Sequence, residues 1–459
     1  MNASMYNGFA LAAALSCAAA GALGQPYEYA VFELGNFGFQ NSAGRGIGDQ
    51  GAVVGVSDNG IQLRAFIWQQ PGPMQDLGTL PGGSETAQAY AVNSWGWVAG
   101  YARDAHYNSR PVMWQEGTIA DLAQNVPGNG GDAEDLNDAG TVVGQWHWEV
   151  APGEHLWSAF SWSAGEMTIL QPLETPANTA GAEAINEAGE IVGASGKADG
   201  PGAAVRWIDG EVFELAFYKT GYQTVARDIN DVGQIVGEAS GNFVETRALL
   251  WEHGGVRSIH GLGINSRACA INNAGEVVGW ASLSDELLDD AAFRWTEMQG
   301  MIDLNSRIAP RGRYEVNMAE GINDWGQIAA SGRTHGAFWI NRALLLSPIS
   351  PRMILDVGGG QLVSGRTNEL IITGASPGRR VYFAYSETGG GSYIPGCTLQ
   401  ENALQLQDPK TLGSAVADAD GVARLQRYIP RPALGRTLLL QAVVPGECAV
   451  SALIVETIE

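Results

Sequence analysis

The chain has 459 residues, of which 45% are hydrophobic and 16% charged, with 62 glycines and a formal net charge of −23. This much apolar sequence can build cores for two or three domains. So many glycines with so little charge favour short strands joined by tight turns over long charged helices. The acidic balance repels phosphate backbones and anionic lipid, which argues against nucleic acid and acidic membranes as partners.

The amino end reads "MNASMYNGFALAAALSCAAAGALGQPYEYA", and its apolar run over 9–23 is too short and too Ala-rich for a membrane span. Ala22-Leu23-Gly24 sets small residues where a signal peptidase cuts. Residues 1–24 therefore read as a signal peptide, with a secreted mature chain, extracellular or periplasmic, that starts at Gln25. Cys17 in "ALSC" sits as in a lipoprotein box, but Ala14 stands where leucine is usual. Plain secretion is expected over a lipid anchor. No other segment is long and apolar enough to span a bilayer. In an oxidising compartment Cys397 and Cys448 are expected to form a disulfide, while Cys269, between two alanines, reads as a small buried residue.

From residue 47 onward one phrase recurs seven times: "IGDQGAVVG", "VNSWGWVAG", "LNDAGTVVG", "INEAGEIVG", "INDVGQIVG", "INNAGEVVG" and "INDWGQIAA". Aligned on Gly48, Asn93, Asn137, Asn186, Asn230, Asn272 and Asn323, the copies lie 45, 44, 49, 44, 42 and 51 residues apart. Such a period belongs to propellers, solenoids and arrays. Locally the phrase reads strand, turn, strand. The asparagine bonds backbone two residues on, and the glycine three positions later (Gly189 in the fourth copy) takes the positive φ of a short hairpin. The second glycine, as in Gly193, allows a close backbone approach or a bulge.

Each unit continues with an apolar run ending in tryptophan: Trp68, Trp114, Trp162, Trp207, Trp251, Trp295 and, in "GAFWI", Trp339. These indoles read as core packing between units. A fourth strand follows in every unit but the last, as in "MQDLGTL" and "VFELAFY", and four strands per unit is the make-up of a propeller blade. The missing one matches "YAVFELGNFG" at 29–38, so the amino end is expected to lend a strand to the last unit and close the ring. The fold class is thus all-β. A seven-bladed β-propeller over 25–345 precedes a small β-sandwich over 346–459, where strands such as "NELIITG" and "RRVYFAYS" suggest an Ig-like module. Asp418, Asp420 and Gly421 lack the remaining ligands of a calcium loop and read as a hairpin turn.

At "DLGTLPGGSETAQAYAVNSWGWVAG", residues 76–100, the chain resembles the extracellular HAF-repeat family of bacteria. The family's phrase is a DLGTLPGG-like turn, an A-x-A-I-N strand, G-x-V-V-G and then H-A-F-x-W. The resemblance covers about 30–340, although Arg64, Ser158, Arg247 and Gly336 stand near the place of the histidine that names the repeat. It implies an exported, propeller-like repeat protein and supplies no catalytic residues.

Two groups of residues are candidates for ligand binding. In a propeller the loops from strand two to three, and from strand four to the next unit, share a face where ligands often bind. The third unit's such loop, "QWHWEVAPGEHLW", gathers Trp146, His147, Trp148, Glu149, His155 and Trp157. Its indoles could stack on sugar rings or fold under as an aromatic core. His147 and Glu149 lack a third metal ligand, so no metal is expected. The second group is the position three before each anchor: Arg45, Tyr90, Glu134, Glu183, Arg227, Cys269 and Glu320. Near the axis these side chains could ring the channel mouth or pair as Arg–Glu bridges. The chain shows no Ser-His-Asp phrase, phosphate loop or nucleotide fingerprint, and no cofactor is expected. The expected function is a secreted, non-catalytic, monomeric binding or scaffold protein for a glycan or a cell-surface protein. The alternatives are a carbohydrate-active hydrolase or lyase using Glu134 and Glu183, or a structural part of a surface layer.

Overall fold

The computed structural model describes residues 29–459 except 40, 71, 152–153, 176–178, 242–244, 260, 264, 285–289, 310–313, 335–339, 349–353, 359–360, 377, 388, 393–403, 407–408, 419–420, 446–448 and 452–453. The leader with Cys17, the expected Cys397–Cys448 disulfide, Trp339 and Asp420 lie outside the described residues. Within them the fold is all-β. Among the described residues the helical elements are two short 3-10 turns, Leu304–Ser306 and Arg431–Ala433, and no helix is long and apolar enough to cross a membrane.

The repeated phrase folds the same way in each unit. Asn186 N donates to Glu190 O at 3.1 Å and Gly189 N to Asn186 O at 3.0 Å, closing a hairpin in which Gly189 takes φ +83. Beyond the turn Ile191–Ser195 pairs with Ala180–Ile185 on one side and with Ala203–Ile208 on the other, and Glu211–Glu214 completes the sheet. Six such four-stranded sheets occur among the described residues. A seventh repeat sheet has five strands. Tyr29–Glu33 runs antiparallel to Asn341–Pro348, with Tyr29 opposite Pro348 and Glu33 opposite Leu344, and parallel to Ile308–Ala309. The amino-terminal strand therefore completes the sheet in which the tandem copies stop, as the sequence pattern anticipates.

That same sheet corrects one assignment. In the other units the residue five past the anchor faces a tryptophan, as Ile191 faces Trp207 and Val277 faces Trp295. In the last unit Ile328 faces Leu346, so "NRALLLSP" is the third strand and leucine, not Trp339, fills the indole's place. Leu346 is fully buried.

Apolar clusters lie between successive sheets. Ala30, Phe32, Leu34, Ala329, Ala343 and Leu345 of the last sheet pack against Val53, Phe66 and Trp68 of the first. Trp68, Trp114, Trp207, Trp251 and Trp295 are buried, and Trp162 is half-buried. Several indoles also bond backward to the preceding unit: Trp114 Nε1 donates to Gly78 O at 3.3 Å, Trp207 to Gln171 O at 2.8 Å and Trp251 to Ala216 O at 2.9 Å. Each ring thus supplies apolar area and satisfies its N–H where the sheets meet. The carboxyl-terminal region has a three-stranded and a five-stranded sheet and a short two-stranded ribbon. Its core takes Leu355, Leu370 and Ile372 from the first sheet and Val381, Phe383 and Leu440 from the second. Gly421 N donates to Asp418 O at 3.0 Å, the bond of a hairpin turn.

Candidate functional site

The site begins with a defect in the first strand of every repeat. Pairing between strands one and two slips by one residue at Gly44/Gly46, Ala89/Ala91, Ala133/Asp135, Ala182/Ala184, Ala226/Asp228, Ala268/Ala270 and Ala319/Gly321. The extra residue in each bulge is Arg45, Tyr90, Glu134, Glu183, Arg227, Cys269 or Glu320, the position three before the anchor. A bulge re-aims the side chain it inserts. It also brings strand one's carbonyl against strand two, which explains the second glycine of the phrase. A Cβ on Gly193 would lie 2.0 Å from Gly181 O, and one on Gly237 the same distance from Val225 O. The last unit has Ala330 there and a second slip at Val316/Met318, so its strands are spaced differently.

All seven bulge residues line one pocket of about 300 Å³. Arg45 Nη1 reaches Glu320 at 2.7 Å, and Arg227 bridges Glu183 and Glu238 at 2.8 Å each. Arg267 also pairs with Glu238. Cys269 is half-buried, and burial, followed by the Glu320 charge, pushes its thiol up to about 12. Tyr90 and Glu134 make no ion pair or hydrogen bond among the described residues. Burial, with the charges of Glu183 and Asp132, pushes Glu134 up to about 8 against the pull of Arg227 and Arg45. Burial raises the Tyr90 phenol as well.

Outside this inner set, the anchors form a hydrogen-bonded belt. The asparagine Nδ2 donates to the next anchor's carbonyl: Asn93 to Asn137 at 3.2 Å, Asn137 to Asn186 and Asn186 to Asn230 at 3.3 Å, Asn230 to Asn272 at 3.0 Å, and Asn272 to Asn323 at 3.1 Å. Asn323 Nδ2 then donates to Gly48 O at 3.1 Å, returning to the first unit. In most units the residue after the anchor makes a second belt by accepting an N–H from the preceding unit. Asp138 accepts from Ser94, Glu187 from Asp138, Asp231 from Glu187, Asn273 from Asp231 and Asp324 from Asn273. Asp135 and Asp228 link units in the opposite sense, each accepting from its own successor and from the next unit, Ile185 N at 2.9 Å and Ile271 N at 2.7 Å.

The sum is strongly acidic. Ten carboxyl side chains and two guanidinium groups line the pocket. At its rim stand two exposed indoles, Trp95 and Trp325, whose Nε1 atoms donate to Asp138 O at 3.1 Å and Asp49 O at 2.9 Å. Sequence reasoning found the bulge residues but not the second belt, Asp135, Asp228 or the rim indoles. The signal was present: the residue after the anchor is acidic in five of seven copies, and tryptophan sits mid-turn in "NSWGW" and "NDWGQ".

The other candidate group lies elsewhere. The described residues of "QWHWEVAPGEHLW" are the ends of two ten-residue strands, Val142–Ala151 and Glu154–Ser163, with Trp148 opposite Leu156 and Glu149 opposite His155. Its tip is the far end of a strand that starts at an anchor turn, roughly 30 Å from it at about 3.3 Å per residue. Trp146 is fully buried, donates to Pro127 O at 3.1 Å and lies under the Arg110 guanidinium. Trp148 is half-buried against the same cluster, and Glu149 is exposed. His147 stacks on Trp157 with centroids 4.5 Å apart, and Trp157 is 36% exposed. The His155 side chain is not among those described. Among the described residues no three His, Cys, Asp or Glu side chains are grouped to hold a metal.

Fold and site define an all-β, propeller-like protein with an acidic pocket at the hub of its repeat sheets. No protein-family model matches the chain, and no curated protein does. Solved structures similar to it include a prolyl endopeptidase (10% identity, TM-score 0.43, covering 87% of this chain and 61% of that one). They include the acylaminoacyl peptidase of Pyrococcus horikoshii (11%, TM-score 0.44, 73% and 58%). A puromycin-hydrolysing peptidase of Mycobacterium tuberculosis is a third (12%, TM-score 0.41, 61% and 47%). The chain thus spans about three fifths or less of the length of each of these three structures. The expectation of a non-catalytic binding or scaffold protein stands against these neighbours, which are peptidases. The alternative of a carbohydrate-active enzyme built on Glu134 and Glu183 finds no support in these three neighbours either.

Proposed function

We propose that this chain is a peptidase-like propeller that acts on peptides, and that its hub pocket receives their cationic groups: an amino-terminal ammonium, a lysine or an arginine. One observation carries the reading, the convergence of ten carboxyl groups against two guanidinium groups on a pocket of about 300 Å³. Such a concave, predominantly acidic surface concentrates a cation and disfavours an anion, and the volume suits one extended basic side chain with its water. The proposal includes seven blades of HAF-like repeats over 25–345, a sandwich module over 346–459, export from the cytoplasm and a Cys397–Cys448 disulfide in the exported chain. The belt that returns from Asn323 to Gly48 supports the closed seven-fold ring.

The test is calorimetry with a short Lys/Arg peptide, its acetyl-lysine counterpart and a glutamate peptide, each mixture then analysed by mass spectrometry for shortened products. The cationic peptide is expected to bind with strong salt dependence and the other two not to bind. Equal binding of the acetylated peptide would sink the cation reading. Intact peptide after long incubation would remove cleavage from the proposal.

A further inference from the structure

Five of the seven bulge positions are already committed. Arg45 is tied to Glu320 and Arg227 to Glu183, while Cys269 is a protonated thiol between charged neighbours. The two that remain, Tyr90 and Glu134, belong to consecutive units and so stand side by side in the pocket lining. Glu134 is half-buried, and the pocket is its opening to water. Two residues earlier on the same strand, Asp132 is bonded through one oxygen to Ser109, whereas its Oδ1 is buried with no hydrogen-bond partner among the described residues. The charge of Asp132 bears on Glu134, Tyr90 and Tyr101 together. The Arg103 charge reaches Asp132 and Tyr101 from behind, yet Asp132 Oδ1 and the Glu134 carboxyl still take no hydrogen bond among the described residues, so on its pocket side the sector has room for a cationic donor. Leaving such groups enclosed and unpaired is costly, and a donor that fills the gap recovers that cost on binding.

We propose that Glu134, with Tyr90 beside it, is the seat of the incoming ammonium or guanidinium group and sets the specificity of the pocket. This rests on the reading of the pocket as a receptor for cationic peptides. Glu134 would accept the N–H donors and the Tyr90 hydroxyl would orient them. Asp132 would hold the local potential negative. Glu134 faces Asp132 on its own strand, Glu183 and Arg227 on the strands after it, and Tyr90 and Arg45 on those before. At pH 7 it is largely protonated, its carboxyl standing near about 8. A cation seated there favours the ionised form, so binding expels a proton, and affinity rises from pH 6 to pH 8.

The experiment is calorimetry of trilysine on the full chain at low salt and pH 7, in two buffers of different ionisation enthalpy. Wild type is expected to bind trilysine and not its acetylated form, with proton release. Glu134→Gln is expected to bind about ten- to a hundred-fold more weakly, the worth of a charge-assisted bond, and to release no proton. It removes a desolvated carboxyl without changing shape and is expected to melt no lower than wild type. If it fails to fold, Asp132→Asn reads the same sector and is expected to weaken binding several-fold. Wild-type affinity in Glu134→Gln, or in Asp132→Asn if that variant has to stand in, overturns this assignment and leaves the broader reading in place. Failure of the wild type to bind trilysine removes that reading first, and this one with it.

Discussion

The anchor asparagines separate two roles that a single substitution series can resolve. Asn186 is 5% exposed. Its Oδ1 accepts from Glu190 N at 2.9 Å within its own hairpin, and its Nδ2 donates to Asn230 O at 3.3 Å in the next sheet. Asn186→Ala strands the Glu190 N–H and takes one of two donors from the Asn230 carbonyl, which keeps its bond from Gly233 N at 3.0 Å. At about 1–3 kcal/mol for the N–H left unmade and about 0.5–1 kcal/mol for the lost second bond, the loss is about 1.5–4 kcal/mol. For a cooperative unit of roughly 320 residues that corresponds to a fall in Tm of about 2–6 °C. Asn186→Asp is the informative partner. It keeps the hairpin acceptor, but it turns the intersheet donor into a carboxylate oxygen facing a carbonyl. If the sheet-to-sheet bond carries weight, the aspartate variant is at least as unstable as the alanine one. The assay is urea unfolding followed by circular dichroism on all three proteins at one pH. An aspartate variant within about 0.5 kcal/mol of wild type would refute the intersheet role and return the asparagine to turn chemistry alone.

Two further outcomes follow from the same belt. Gly48 is the one anchor without a side chain, and a Cβ there would lie 3.1 Å from Val92 O and 3.4 Å from Asn93 O. Gly48→Asn is therefore expected to supply the missing donor and raise stability by about 0.5–1 kcal/mol, read as a higher urea midpoint; a lower midpoint would mean that Val92 cannot give way. Burial pushes Asp135 up to about 7 and Asp228 to about 8 from an ordinary 3.8. Folded-state values above the unfolded one mean that the native chain holds these protons longer. Their stabilisation is complete below about pH 4 and is lost as pH rises through 7 and 8, with a slope of up to about 1.4 kcal/mol per pH unit for each group. The urea midpoint is expected to fall between pH 6 and pH 9, and a flat or rising midpoint would contradict the burial argument.

How much of this was legible in the sequence depends on the range of the interaction. The hairpin of each repeat is local: Asn186 and Gly189 lie three residues apart, and both requirements, an acceptor for nearby N–H groups and a positive φ, are written in residue type. The loan of the amino-terminal strand was also readable, since 29–38 repeats the fourth-strand phrase and the last unit lacks one. Trp339 failed as a marker because the register of the last sheet is set by pairing across strands, where Leu346 meets Ile328. A leucine fills that space without announcing itself.

The site divides the same way. The position three before the anchor could be picked out because five of its seven copies are Arg or Glu, yet the reason it faces the hub is the bulge. A bulge is a difference between two strands and cannot be seen in one. The second glycine was its only trace, required because strand one's carbonyl comes within about 2 Å of where a Cβ would stand. The aromatic cluster of unit three drew attention by composition, and composition does not distinguish an indole at a rim from one beneath it. Trp146 and Trp95 carry the same ring. One follows a strand residue and lies wholly buried under Arg110; the other stands second after its anchor, in the turn, and is 69% exposed. Position in the hairpin decided which indole reaches solvent, so in repeats of this kind the turn positions that vary from copy to copy are where a ligand's preferences are to be sought.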